Sequence, residues 1–149
     1  MPIQDHDLKP TLGLRREDKN HWERRVPLTP DHVRQLVERG VRVRVQPSTI
    51  RIFPDDDYRA AGALVDEDLS SCPVIFGVKE IPSAMFREGQ AYVYFSHTIK
   101  GQAYNMPMLQ RLLDLGCNLL DYERMVDARG RRLVFFGRHA GLAGAVETL

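Results

Sequence analysis

The chain has 149 residues, 43% of them hydrophobic and 28% charged, a composition that fits one globular domain and excludes a disordered tail or a coiled coil. Its 21 Lys and Arg are balanced by 20 Asp and Glu, a net charge of +1 that gives no global footprint for nucleic acid. No run of about 18 apolar residues is present, so no membrane span is expected, and the opening MPIQDHDLKP lacks the apolar segment of a signal peptide, which makes the cytosol the expected location.

Thr11–Leu14 is a short apolar stretch that reads as a strand delivering Arg15, Arg16 and Glu17 at its C-terminal end. Asp18–Arg25 is polar and reads as a loop. Thr29 is then placed to cap a helix, with Pro30 at its first position and Asp31 in its first turn. Val33, Leu36 and Val37 recur at helical spacing, and Gly40 supplies a left-handed stop. Val41, Val43 and Val45 alternate with Arg42, Arg44 and Gln46, the period of a half-buried strand. A short helix is expected from Asp55 through Ala61, ended by Gly62, and a helix or turn over Asp66–Leu69. Val74–Val78 is an apolar run like that of a buried parallel strand, closed by Lys79 and Glu80. After a short helix following Pro82, Tyr92–Phe95 forms another strand, closed by Ser96, His97 and Thr98. A helix follows Asn105 through Leu115 and stops at Gly116. Leu119 and Leu120 lead to Asp121, Tyr122 and Glu123 as a further strand end. Asp127–Gly130 predicts a hairpin turn and Leu133–Phe136 a strand. Gly141, Ala143, Gly144 and Ala145 predict a closely packed last helix that runs to the final residue.

Alternating strands and helices predict an α/β fold, an open, mostly parallel sheet with helices on both faces. Ligands in such sheets gather beyond the strand C-termini. Arg15, Lys79, Glu80, His97, Asp121 and Glu123 all fall there, so they are expected to converge on one crevice. Lys79 beside apolar sequence and His97 at a strand end suit proton transfer, or are exposed strand-end residues. Arg15 and Arg16 can clamp a carboxylate, or form surface ion pairs. Asp121 and Glu123 either hold a basic partner or are solvated. Arg131 and Arg132 read as hairpin charges.

Several motifs are missing. There is no Walker loop, no G-x-S-x-G and no H-E-x-x-H. His6, His21, His32, His97 and His139 lack metal-ligand spacing, so no metal is expected. Gly137, Gly141 and Gly144 suggest helix packing rather than a phosphate loop. The Arg39, Arg42, Arg44 stretch lacks interleaved exposed aromatics, so no nucleic-acid partner is expected. Cys72 and Cys117 each lie beside apolar residues and read as free thiols.

Leu14-Arg15-Arg16-Glu17-Asp18, Trp22-Glu23-Arg24-Arg25 and Pro27-Leu28-Thr29-Pro30 resemble the start of the lysine–2-oxoglutarate reductase half of the bifunctional aminoadipic semialdehyde synthase family. The likeness continues through Gly77-Val78-Lys79, Phe95-Ser96-His97-Thr98-Ile99-Lys100, Asn105-Met106-Pro107, Asp121-Tyr122-Glu123, Gly130-Arg131-Arg132, Phe136-Gly137 and Ala140-Gly141-x-Ala143-Gly144. More distantly, the chain resembles the lysine-forming saccharopine dehydrogenases and the N-terminal domains of alanine dehydrogenase and transhydrogenase.

The resemblance implies a Rossmann-like N-terminal substrate domain over residues 11–149 that binds an amino acid and a 2-oxo acid. In the family, lysine is joined to 2-oxoglutarate and the imine is reduced to saccharopine with a nicotinamide cofactor. It implies Lys79 and His97 as the proton-transfer pair and Arg15 as a carboxylate contact. It implies that Glu80 and Glu123 modulate the site, and that Lys100, Arg131 and Phe136 line the same cleft. Family enzymes continue into a nucleotide-binding domain, which is expected to be absent from this chain. NAD or NADP is therefore implied for a complete enzyme and none for this chain alone. The partners expected are the small-molecule substrates, a separate nucleotide-binding domain and, compatibly, a further copy of the chain. The alternative is a stand-alone amino-acid-binding or regulatory module of the same fold.

Overall fold

The computed structural model describes residues 9–148. The reading of the N-terminal stretch, His6 and the final residue of the last helix lie outside the described residues. Six parallel strands form one sheet in the order β3-β2-β1-β4-β5-β6: β1 Thr11–Leu14, β2 Arg42–Val45, β3 Leu64–Val65, β4 Val74–Phe76, β5 Ala91–Tyr94 and β6 Asn118–Asp121. The helices are α1 Pro30–Glu38, α2 Asp55–Ala60, α3 Met106–Asp114 and α4 Gly137–Thr148. The strand order doubles back between β1 and β4, the switch point beyond whose strand C-termini such sheets bind their ligands.

Strand alternation sorts the side chains between two cores. Leu14, Val43 and Val45 turn to one face and pack with Val33 of α1 and Tyr58 of α2. Ile75, Tyr92 and Tyr94 turn to the other, against Met108 and Leu112 of α3. Helices thus cover both faces, and each fully buried Leu or Val contributes roughly 1.5–3 kcal/mol. A third cluster of Val78, Val93, Phe95 and Tyr122 floors the C-terminal edge of the sheet.

The local signals account for most boundaries. Thr29 caps α1 through a reciprocal pair with His32: the His32 N–H donates to Thr29 Oγ1 at 3.4 Å, and the Thr29 N–H donates to His32 Nδ1 at 3.3 Å. Gly40 takes the left-handed conformation after α1, with φ 86°.

Four expectations need correction. Strand β4 ends at Phe76, because the Val78 and Lys79 N–H groups donate to the Glu17 carboxylate at 2.7 and 2.9 Å. Strand β3 was not expected; its two residues are too short to show a period and exist through pairing with Arg44 and Val45. Leu133–Phe136 is not a strand. The hairpin turn forms, but its pairing stops at a single bridge between Val126 and Arg132, and Phe136 packs on Phe95 and Arg25 instead. Helix α4 is not closely packed: it has no buried residue, and Gly141 and Gly144 meet nothing within 4 Å. No helix among the described residues is long and apolar enough to cross a membrane.

Candidate functional site

The switch point between β1 and β4 is built around Arg15. Its backbone N–H extends the sheet by donating to Phe76 O at 3.0 Å, and its side chain is only 1% exposed. Nη2 donates to Asp18 Oδ2 at 2.6 Å and approaches Met85 Sδ at 3.7 Å. Nε and Nη1 are buried without a protein partner. A bare Gly77 lets the stem pass: a Cβ there would lie 3.4 Å from Arg15 Cγ and Cδ.

Glu17 stands two residues on and faces Gly77 beside the Arg15 stem: a Cβ at Gly77 would lie 3.5 Å from Glu17 Oε1. Burial raises its pKa, partly offset by the Val78 and Lys79 N–H groups and by the charge of Arg15. Lys79 is half-buried, and its side chain donates no hydrogen bond to the described residues. It also sits near enough to Glu23 to help hold that carboxyl low, although the hydrogen bond from Arg25 is the main cause.

The second group of residues lies past β5 and β6. His97 sits in the left-handed region, φ 56° and ψ 12°, the one described non-glycine residue with positive φ. Its Nδ1 lies 3.3 Å from Glu123 Oε2 and 3.2 Å from Lys100 Nζ. A neutral ring can donate to the carboxylate or accept from the ammonium, so the tautomer decides which contact is made. Lys100 Nζ is also 3.3 Å from Glu123 Oε1. Burial pushes the Glu123 carboxyl up, but the Lys100 hydrogen bond and the charges of His97 and Lys100 outweigh it and the net shift is downward. Glu80 likewise ends low: burial raises it, and the Lys19 hydrogen bond at 2.7 Å with the charges of Lys19 and His97 pulls it below the usual range. Its Oε1 is buried without a partner.

His97, Lys100 and Glu123 are therefore in direct contact. Glu80 is tied to Lys19 rather than to this group, and Arg15 and Lys79 are instead linked to Glu17, whose carboxylate accepts the Lys79 N–H and faces Gly77 beside the Arg15 stem. Arg131 lines a hollow of ≈ 530 Å³ together with Phe136, Phe95 and Arg132, but it makes no hydrogen bond to His97, Lys100 or Glu123. It is turned to Asp127 at 2.7 Å in the hairpin, and Arg132 is the arginine that approaches Glu123, at 3.8 Å. Neighbouring residues of a hairpin point opposite ways, and alternation alone does not say which faces the site. Phe136 helps line an apolar hollow of ≈ 410 Å³ with Arg25, Ile52, Val78, Phe95 and Tyr122, and Arg25 lies 5.0 Å over its ring. A larger hollow of ≈ 500 Å³ surrounds the starts of β1, β2 and β3 and contains none of these groups; Arg42 and Arg44, which line it, are engaged with Thr11 and Asp66.

The sequence reading passed over Glu17 and Lys19 as site components. The signal for Glu17 was its i, i+2 spacing from Arg15 past a buried strand. Lys19 carried no signal, because its loop position relative to Glu80 depends on the whole β1–α1 connection. Among the described residues no three His, Cys, Asp or Glu side chains are placed to hold a metal.

Residues 13–143 match the family described as Alanine dehydrogenase/PNT, N-terminal domain. The chain is 45% identical over 141 residues to the mitochondrial alpha-aminoadipic semialdehyde synthase of Rattus norvegicus, covering 95% of this chain and 15% of that protein. It is 39% identical over 147 residues to the NAD(+), L-lysine-forming saccharopine dehydrogenase of Neurospora crassa, covering 95% of this chain and 40% of that one. An L-alanine dehydrogenase structure superposes with a TM-score of 0.68 at 25% identity, over 80% of this chain and 34% of the other. The fold is shared with a transhydrogenase from Sinorhizobium meliloti, TM-score 0.66 at 19% identity, over 79% of this chain and 36% of that one. The chain thus spans well under half the length of these relatives. With its six parallel strands, its switch point and this run of matches, the chain belongs to the alanine dehydrogenase/PNT N-terminal domain family, in the superfamily that includes the saccharopine dehydrogenases.

Proposed function

We propose that this chain is the substrate-binding domain of a lysine–2-oxoglutarate reductase that forms saccharopine. One observation carries the reading: Arg15 is buried at the switch point with Nε and Nη1 unpartnered. A carboxylate supplies charge-assisted acceptors for such unmet guanidinium donors. Lysine carries one carboxylate and 2-oxoglutarate two. The printed names of the relatives, alpha-aminoadipic semialdehyde synthase and saccharopine dehydrogenase, support that substrate class.

The described residues do not fit a dinucleotide. Where a Gly-rich phosphate loop would follow the first strand, the β1–α1 connection over residues 15–29 contains no glycine, so it has no backbone that can close around a pyrophosphate. The proposal places NAD or NADP, whose chemistry is hydride supply to the imine, on a domain outside these residues.

The proton chemistry falls to this chain. The lysine ammonium must lose a proton before its nitrogen attacks the ketone carbon. The carbinolamine oxygen must then gain a proton to leave as water. A group that alternates between acid and base near neutral pH serves both steps. Lys79 and His97 take those roles, and Glu123, Lys100 and Glu80 set the charge around His97. Arg15 holds a carboxylate.

The test is kcat and kcat/KM against pH for the intact protein containing this domain. Lys79→Met and His97→Gln are expected to lower turnover and alter the pH profile with modest change in KM. Arg15→Ala is expected to weaken substrate binding by about 2–5 kcal/mol. Unchanged pH profiles and turnover in both Lys79→Met and His97→Gln reject the assignment.

A further inference from the structure

We infer that Asp121 is the positioning residue of the His97 turn: its carboxylate ties the two chain segments that carry His97 and Glu123 and so sets the contact between them. The inference rests on the proposed role of His97, but its structural part can be tested without it.

Asp121 ends β6, directly opposite Tyr94 of β5. It is 7% exposed, yet both carboxylate oxygens are used. Oδ1 accepts the Glu123 N–H at 2.8 Å, which starts the single turn carrying Glu123. Oδ2 accepts the hydroxyl proton of Ser96, a fully buried residue. Ser96 Oγ in turn accepts the Thr98 N–H at 3.2 Å and lies 2.8 Å from Thr98 Oγ1. Ser96 and Thr98 bracket His97.

This arrangement accounts for the backbone of His97. A non-glycine residue with positive φ is uncommon, although histidine is among the types that tolerate it best, and it persists where its surroundings hold it. Here the residues on either side are bound to each other, and that pair is bound to Asp121. Phe95 adds a stacked ring at 6.3 Å with a 19° interplanar angle, which limits how the imidazole can tilt. One carboxylate therefore holds the donor and the acceptor of the His97–Glu123 contact from opposite sides. A solvated strand-end acid, the plain alternative, would not be buried with both oxygens occupied.

The groups facing His97 come from several elements. Glu123 and Lys100 touch Nδ1, Arg132 approaches Glu123, and Glu80 after β4 shares its field with the ring. Asp121 does not touch the ring. Its effect on titration acts through the placement of Glu123 and of the turn.

The experiment follows the ring nitrogens of His97 by 15N NMR across pH in the 149-residue chain, with the resonance assigned by His97→Gln. Asp121→Ala is expected to change the His97 ring 15N shifts that report its tautomer and its contact with Glu123. Asp121→Asn retains an acceptor for the Glu123 N–H and is expected to restore most of the wild-type pattern. Ser96→Ala removes the link from Asp121 to the turn along with the Ser96–Thr98 contacts, leaves the bond from the Glu123 N–H to Asp121, and is expected to move the shifts in the same direction as Asp121→Ala. In the intact protein, Asp121→Ala is expected to lower kcat by about 10–100-fold, the cost of misplacing a catalytic group by about 1 Å, with KM within about twofold. Wild-type His97 shifts in folded Asp121→Ala overturn the inference. If that variant does not fold, wild-type shifts in Ser96→Ala overturn it equally. Displaced His97 shifts with an unaltered pH profile of turnover would leave Asp121 as a positioning residue and reject His97 as the proton-transfer group.

Discussion

Replacing Arg15 by Met is expected to stabilise the free chain. In the native structure the guanidinium has one protein carboxylate partner, Asp18, through Nη2, while Nε and Nη1 have none. An unmet buried donor costs about 1–3 kcal/mol, so two cost roughly 2–6 kcal/mol. The Asp18 contact returns little of this, because that carboxylate is 42% exposed and such pairs are worth about 0–1 kcal/mol. Methionine keeps an apolar stem against Gly77 and removes the charge. Glu17 loses a neighbouring positive charge, which trims the gain. Removing one member of a buried pair is costly when the other stays buried, but Asp18 is 42% exposed and keeps its hydration, so that cost is small here. A gain of about 2 kcal/mol would raise Tm by roughly 4–8 °C for a chain of this size. The assay is thermal and urea unfolding of wild type and Arg15→Met, followed by circular dichroism. A loss of more than about 2 kcal/mol would show that Arg15 is a structural tie whose donors are satisfied in the free protein, and would remove the ground for assigning it to a carboxylate ligand.

Gly13→Ala is expected to destabilise by about 1–3 kcal/mol, because its Cβ would lie 2.7 Å from Ile75 Cδ1 and 3.2 Å from Cys72 Cβ in a filled core; an unchanged urea midpoint would contradict that packing. Glu123, whose folded-state pKa is lowered, contributes stability above the unfolded-state value of about 4.3 and loses it as pH falls through the folded-state value. The stability gap between wild type and Glu123→Gln is therefore expected to close in acid, and a gap constant from pH 7 to pH 3 would refute it. Glu17, raised by burial, runs the other way: its contribution is present below the unfolded-state value and is lost as pH rises through the folded-state value. Cys72 and Cys117 are free, and burial raises both thiol pKa values. Iodoacetamide is expected to label half-buried Cys117 before fully buried Cys72, and equal rates in the native protein would show that the Cys72 side of the sheet is open.

Much of the scaffold was legible along the chain because its signals are local. Alternation of Val43 and Val45 with Arg42 and Arg44, the Thr29-Pro30 start and the Gly40 stop each rest on residues within a few positions of one another. Those signals place Arg15, Lys79, His97 and Glu123 beyond strand ends, and parallel strands bring such ends to one edge of the sheet. The residue types were also legible: an arginine for a carboxylate, a lysine and a histidine for proton transfer.

What only the tertiary structure decided are the matters of pairing and burial. Leu64 and Val65 become a strand because β2 offers them an edge, while Leu133–Phe136 finds none and Phe136 turns to Phe95 and Arg25. Arg132 rather than Arg131 approaches Glu123, and Lys19 rather than a closer neighbour takes Glu80. The Glu17 carboxylate stops β4, and the Asp121 carboxylate holds the His97 turn, across 61 and 25 residues of sequence. Periodicity reports which way a side chain turns from its own strand. It carries no record of which distant donor waits on that side, because that distance is set by the packing of the whole sheet.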